Sequence, residues 1–216
     1  MRVGVLGATG PAGSGLAVRL ASVGIEVIVG SRSKERAEGV RSTLLGAWPD
    51  RDLPIEPGDN SMASGADVVV VATPWDAAAS TALSCADLLE GKVVISMANA
   101  LARVGKEFQA LVPPRGSVAA HIQSTVPAAK VAAAFHHLPA KELGQIDEPM
   151  HADVLVCSDH PEATATTSEL IEAIPGLRAL DTGSLSNAGP IEAMTAVLLQ
   201  LNGRYKTRVS IQVSGI

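Results

Sequence analysis

Aromatic side chains supply only 2% of this 216-residue chain: two Trp, one Tyr and two Phe. Its core must therefore be built from Ala, Val, Leu and Ile, and a planar ligand meets mostly aliphatic walls. Cysteine is equally scarce. Cys85 and Cys157 show neither metal-ligand spacing nor the density of a disulfide scaffold, which points to a reducing compartment, the cytoplasm, and to no metal site. Basic residues are outnumbered 17 to 22, for a net charge of −5, so a face shaped for nucleic acid is not expected. No apolar run approaches the ~18 residues of a membrane span. The stretch at residues 3–6 is broken at once by Gly7, Gly10, Gly13 and Gly15, too soon for the apolar region of a signal peptide. These absences leave a soluble protein acting on small molecules, with no membrane partner.

What is present is α/β material, 47% hydrophobic and 18% charged. Short β-branched runs alternate with Ala-rich, helix-compatible stretches, the pattern of parallel strands joined by helical crossovers. Strands are expected at residues 2–6, 26–29, around 55, and at 67–72, 92–96, 130–135, 153–157 and 178–180. Helices are expected at 12–23, 34–45, 75–89, 117–124, 161–174 and 190–202, with Pro161 and Pro190 in first turns, where a missing N–H costs nothing. Residues 48–59, with Pro49, Pro54, Pro57 and Gly58, read as a loop around one poor strand. The expected fold is a Rossmann-type, doubly wound, mostly parallel sheet at 1–145, followed by a small C-terminal α/β lobe at 146–216 packed directly on it.

Gly7-Ala8-Thr9-Gly10-Pro11-Ala12-Gly13 follows the first strand and opens a helix. In that context glycines have defined tasks. Gly10 lets backbone approach a pyrophosphate, Gly13 lets helix close on strand, and the helix N-terminal amides bring donors and partial positive charge. Thr9 offers a hydroxyl. A glycine-rich turn serving packing alone is the plainer alternative. About 20 residues further on, where NAD enzymes carry an acid for the ribose 2′-hydroxyl, this chain has Ser31, Arg32, Lys34 and Arg36. A guanidinium fork and a hydroxyl suit a 2′-phosphate, which an acid would repel. NADP is therefore expected over NAD.

Thr73-Pro74-Trp75 and Asn99 follow later strands, at the edge where open α/β sheets place ligands, and are expected to flank the nicotinamide. Several NADP chemistries are excluded by missing residues. The sole tyrosine, Tyr205, has Val rather than Lys four places on, which removes the short-chain reductase pair. Cys85 falls inside the helix expected at 75–89, and Cys157, at a strand end, has no basic neighbour in sequence to lower its pKa, which removes thiol catalysis. What remains is a reductase with little acid–base apparatus.

Five motifs in sequence order carry a resemblance: Gly7-Ala8-Thr9-Gly10, Val29-Gly30-Ser31-Arg32, Thr73-Pro74-Trp75, Phe135-His136-His137-Leu138-Pro139-Ala140, and Asp181-Thr182-Gly183-Ser184-Leu185-Ser186-Asn187. Together they resemble the NADPH-dependent coenzyme F420 reductases (F420:NADP oxidoreductases). The resemblance implies an oxidoreductase performing reversible, direct hydride transfer between NADP(H) and the deazaflavin coenzyme F420. It further implies that Thr9, Gly10, Pro11 and Ala12 hold the pyrophosphate and that Ser31, Arg32 and Arg36 hold the 2′-phosphate. Trp75, Ala79, Asn99 and Ala140 would complete the two-cofactor site, His136 and Leu138 would stand beside the reacting rings, and the protein would be a homodimer. The C-terminal lobe would complete the deazaflavin site; read from the residues alone, the Ala-rich helices and the apolar stretch 209–213 offer surface for burial between subunits. Two alternatives stay open: an NADPH-dependent flavin or ferric reductase, and a non-catalytic NADP(H) sensor.

Overall fold

The computed structural model describes all of residues 1–216. The chain runs through β1 (Arg2–Leu6), α1 (Pro11–Ser22), β2 (Glu26–Ser31), α2 (Lys34–Ala47), β3 (Ile55–Asp59), α3 (Asn60–Ser64), β4 (Val68–Val71), α4 (Trp75–Leu83) and α5 (Ala86–Leu89). It continues through β5 (Val93–Ser96), β6 (Leu101–Val104), β7 (Glu107–Ala110), α6 (Val118–Thr125), β8 (Lys130–Ala133), α7 (Ala140–Leu143), β9 (Ala152–Ser158), α8 (Pro161–Glu172), β10 (Leu177–Asp181) and α9 (Ala188–Tyr205).

Eight strands form one sheet in the order β10-β9-β8-β5-β4-β1-β2-β3. From β3 to β8 all neighbours are parallel, which is the doubly wound Rossmann order. Strands covered on both faces read as unbroken apolar runs rather than alternating ones, and the four valines of β4 are all buried. One core of 32 buried residues lies between the sheet and α1, α2 and α8; a second of 25 lies under α3 to α6 and α9. Pro57 fits β3 because that strand is a sheet edge, where a missing N–H breaks no ladder.

All the expected strands are present, with ends shifted by a residue or two and the one at Ile55 running to Asp59. The helix expected at 75–89 is two. Ser84 turns its hydroxyl back to the Thr81 carbonyl at 2.7 Å, and Cys85 leaves the helical region at φ −119°, ψ 13°; such serine back-bonding competes with the helix ladder. The β6–β7 hairpin was not foreseen, although Gly105 at φ +62° is the residue that a two-residue type II′ turn demands first.

Residues 146–216 extend the same sheet. β9 runs antiparallel to β8, with Ser158 opposite Ala132, and β10 runs parallel to β9. The chain consequently leaves β10 at the edge where the other strands begin, so motif 181–187 lies away from their carboxyl ends. The tail after α9 docks on its own chain. Ile211 O accepts from the Asp153 amide at 2.7 Å, and the Asp153 carboxylate, paired with Arg178, accepts from the Val213 amide.

Candidate active site

The winding of the sheet reverses between β1 and β4, and such switch points open a crevice at the strand carboxyl ends. Gly7 turns out of β1 at φ +83°, and a Cβ there would come within 2.8 Å of the Thr73 amide nitrogen. A side chain at Gly13 would meet the Gly7 carbonyl at 2.8 Å, so this glycine does close helix on strand. Gly10 differs. Only the Gly7 carbonyl, at 3.7 Å, lies near its missing Cβ, which leaves the turn open to a ligand. Gly10 also caps α1 without any side-chain bond, Pro11 follows it, and no acid stands in the first turn. The N-terminal amides are therefore free for an anion.

A cleft of about 380 Å³ at this turn brings together Thr9, Gly10, Ser31, Arg32, Arg36, Thr73 and Pro74, with Gly7, Asn60, Ala72 and Ala77 completing its wall. Ser31 is buried and Arg32 and Arg36 are exposed; neither guanidinium joins any of the ion pairs. Two polar atoms of the cleft, Thr73 Oγ1 and Asn60 Oδ1, are buried without partners. Unpaired cations, an open glycine turn and orphaned polar atoms are the complement of a phosphorylated nucleoside, and NADP fits them. Pro11 and Ala12 lie in the first turn of α1. Trp75 and Ala79 lie one turn apart on α4 and pack on the second core, outside the cleft wall.

The loop after β8 holds the other group. Phe135 is buried at φ +64°, a conformation that costs a bulky residue about 1–3 kcal/mol and recurs at functional sites. Leu138 N–H closes the turn on Phe135 O at 3.1 Å. His136 is 4% exposed and neither ring nitrogen has a partner. Burial, helped by the neighbouring His137, pushes its pKa down to about 3; the Ala134 carbonyl, near the ring but outside hydrogen-bond geometry, offsets only part of this. The imidazole is neutral at pH 7 and no proton donor of imidazolium type. Its backbone carbonyl accepts from Asn99 Nδ2 at 2.7 Å, while Thr195 Oγ1 donates to Asn99 Oδ1 at 3.1 Å. Asn99 is thus already spanned between two elements.

His137 sets Nε2 against the Asp153 carbonyl at 3.1 Å, and burial lowers its pKa also. Leu138 is buried in the core beneath the loop. Ala140 opens α7, and its carbonyl would lie 2.8 Å from a Cβ on Gly15. Arg19 of α1 locks this contact by donating to the carbonyls of Glu142, Leu143, Gln145 and Glu148. Helix α1 is therefore tied directly to the segment that follows the His136 loop. Asn60 and Thr195 were missed by sequence reasoning. Asn60 follows a strand with no apolar pattern, and Thr195 lies mid-helix with no local motif.

Cys157 is fully buried and its thiol is pushed up to about 11, mainly by burial, so it is no nucleophile. No group of His, Cys, Asp and Glu is placed to hold a metal.

Residues 2–100 match the family model for NADP oxidoreductase, coenzyme F420-dependent. The F420-dependent NADP reductase of Methanocaldococcus jannaschii is 35% identical over 96% of this chain and 95% of that protein. That of Methanothermobacter thermautotrophicus is 37% identical over 96% and 92%. The crystal structure of an assigned F420-dependent NADP-reductase from Arthrobacter sp. FB24 superposes with a TM-score of 0.83 at 24% identity, over 98% of this chain and 99% of that one, a likeness of fold. With the open glycine turn, the acid-free end of β2 and relatives matched along almost their whole length, the chain belongs to the F420-dependent NADP reductase family.

Proposed function

We propose that the protein transfers a hydride directly and reversibly between NADP(H) and coenzyme F420. The observation that carries this is the cleft at the β1/β4 switch point, where Arg32 and Arg36 stand without acidic partners beside an uncapped helix start. NADPH supplies a hydride from nicotinamide C4 to deazaflavin C5, solvent supplies a proton, and NADP+ and reduced F420 leave.

The chain's own groups bind and position. Thr9, Gly10 and the amides after Pro11 take the pyrophosphate; Ser31, Arg32 and Arg36 take the 2′-phosphate. Thr73, Pro74, Trp75, Ala79, Asn99 and Ala140 line the approach to the reacting rings. His136 is a neutral imidazole that can donate one hydrogen bond and accept another, and Leu138 is an apolar wall. Carbon-to-carbon hydride transfer needs alignment and dryness more than acid–base groups, which agrees with a site holding a buried neutral histidine and no activated thiol.

Residues 146–216 complete the deazaflavin side, where Thr195 reaches the Asn99–His136 contact. A homodimer is proposed on the exposed apolar side chains of the β6–β7 hairpin region and α9, Val104, Val112 and Val197. The cytoplasm is proposed on two unpaired cysteines, and no helix is long and apolar enough to cross a membrane. The test mixes protein, NADPH and oxidised F420 and follows the deazaflavin absorbance. Rapid bleaching is expected. Oxidation of NADPH by FMN or ferric ion but not by F420 would favour the flavin or ferric reductase, and tight NADPH binding with no acceptor turned over would favour a sensor.

A further inference from the structure

Asn60 lines the same cleft and is not among the residues that hold the pyrophosphate or the 2′-phosphate. Asn60 opens α3, and the β2–β3 register, Ser31 opposite Asp59, sets it beside the Ser31–Arg32 pair. Its place is fixed from both sides. The Asp59 carboxylate accepts from the Met62 amide at 2.8 Å, and Ala63, one turn on, packs so closely on Gly30 that a Cβ there would lie 2.7 Å from the Ala63 methyl. Asn60 Oδ1 is sealed from solvent near Gly30, 3.4 Å from where that Cβ would stand, with no donor. The Asn60 backbone carbonyl faces the Cys85 thiol, and no protein acceptor takes Nδ2.

The rest of the cleft divides by chemistry. Ser31, Arg32 and Arg36 form a cationic corner, which takes phosphate. Ala72 and Ala77 are the cleft's apolar lining. A donor in the same cleft as a cationic corner and an apolar lining suits a flat heteroaromatic base, whose ring nitrogens accept hydrogen bonds and whose faces suit aliphatic contact. We infer that Asn60 is a binding residue for the adenine base of the dinucleotide, donating from Nδ2 to a ring nitrogen, an inference that rests on the NADP reading above.

The assignment separates Asn60 from the arginines, because the base is common to both dinucleotides and the 2′-phosphate is not. Dissociation constants are measured for NADP+, NAD+ and adenosine 2′,5′-bisphosphate on the intact protein, with thermal melting of each variant as a folding check. Asn60→Ala weakens all three by a common factor of about five to ten, the loss of one hydrogen bond, whereas Arg32→Ala weakens only the two ligands bearing the 2′-phosphate. Asn60→Asp keeps the shape but removes the donor, and weakens NAD+ at least as much; it carries the test should Asn60→Ala not melt cooperatively. Unchanged affinities, or a loss confined to the 2′-phosphate ligands, would overturn the Asn60 assignment. Wild-type protein that binds NADP+ no tighter than NAD+ would instead overturn the reading beneath it.

Discussion

Replacing Arg32 by Ala separates the two halves of the cofactor argument. Arg32 is exposed, lines the cleft and has no carboxylate to release when a phosphate arrives. A hydrogen bond to a charged group contributes about 1.5–3 kcal/mol, and exposure puts Arg32 at or below the lower end of that range. The loss is therefore about tenfold in the dissociation constant of NADPH. NADH lacks the 2′-phosphate and should change by less than about twofold. Fluorescence titration of both nucleotides at low and moderate salt reads this directly, and the NADPH preference should shrink as salt rises, because an exposed pair is screened. Arg36→Ala should behave alike but not additively, since two guanidiniums share one phosphate. Equal losses for NADPH and NADH in Arg32→Ala would refute the 2′-phosphate assignment, whatever the catalytic result.

The glycine turn predicts opposite outcomes at two positions. Gly13→Ala drives a Cβ to 2.8 Å from the Gly7 carbonyl and should lower the melting temperature by several degrees, about 1–3 kcal/mol. Gly10→Ala has room in the free protein and should melt like wild type while weakening NADPH at least tenfold, measured by titration. Glu192, buried on α9 and accepting from the Val118 and Ala119 amides, has its pKa raised to about 7 by burial. Its folded-state pKa lies above the unfolded one, so the stability it confers is whole below about pH 4.5 and lost as pH rises to about 7. Urea unfolding of wild type against Glu192→Gln should show the difference falling across that window, by at most about 3 kcal/mol. His136 works in the other direction. With its pKa lowered to about 3, it stays neutral while the unfolded chain protonates, so stability falls as pH drops below about 6.5. Single-turnover hydride transfer, in contrast, should show no titration of His136 between pH 5 and 8.

The sheet was readable because its strands are covered on both faces. Runs such as Val68–Val71 announce themselves, and the punctuation at Gly7, Pro161 and Pro190 marks where helices begin. The glycine turn was equally readable, since its geometry is local: the glycines and the uncapped helix start lie within one short stretch, and the arginines follow the end of the next strand. What escaped was set at a distance. Asn60 reaches the cleft only because β3 pairs with β2, and Thr195 meets Asn99 across 96 positions. The reversed β9 and β10, which put motif 181–187 at the other end of the sheet, follow from pairing that no local pattern encodes. The burial of His136 and Leu138 was also hidden, because residues 134–139 carry no periodicity and owe their shape to the left-handed Phe135.

Direct passage of hydrogen between the two rings can be followed with deuterium. NADPH carrying deuterium at the transferred C4 position is mixed with the enzyme and oxidised F420 in ordinary water, and the reduced deazaflavin is read by mass spectrometry and NMR. Deuterium retained at C5, one atom per turnover, is the expected result. Label lost to solvent, or unlabelled reduced F420 formed while NADPH is consumed, would show that the hydrogen travels through an exchangeable group, contrary to a site that acts by alignment alone.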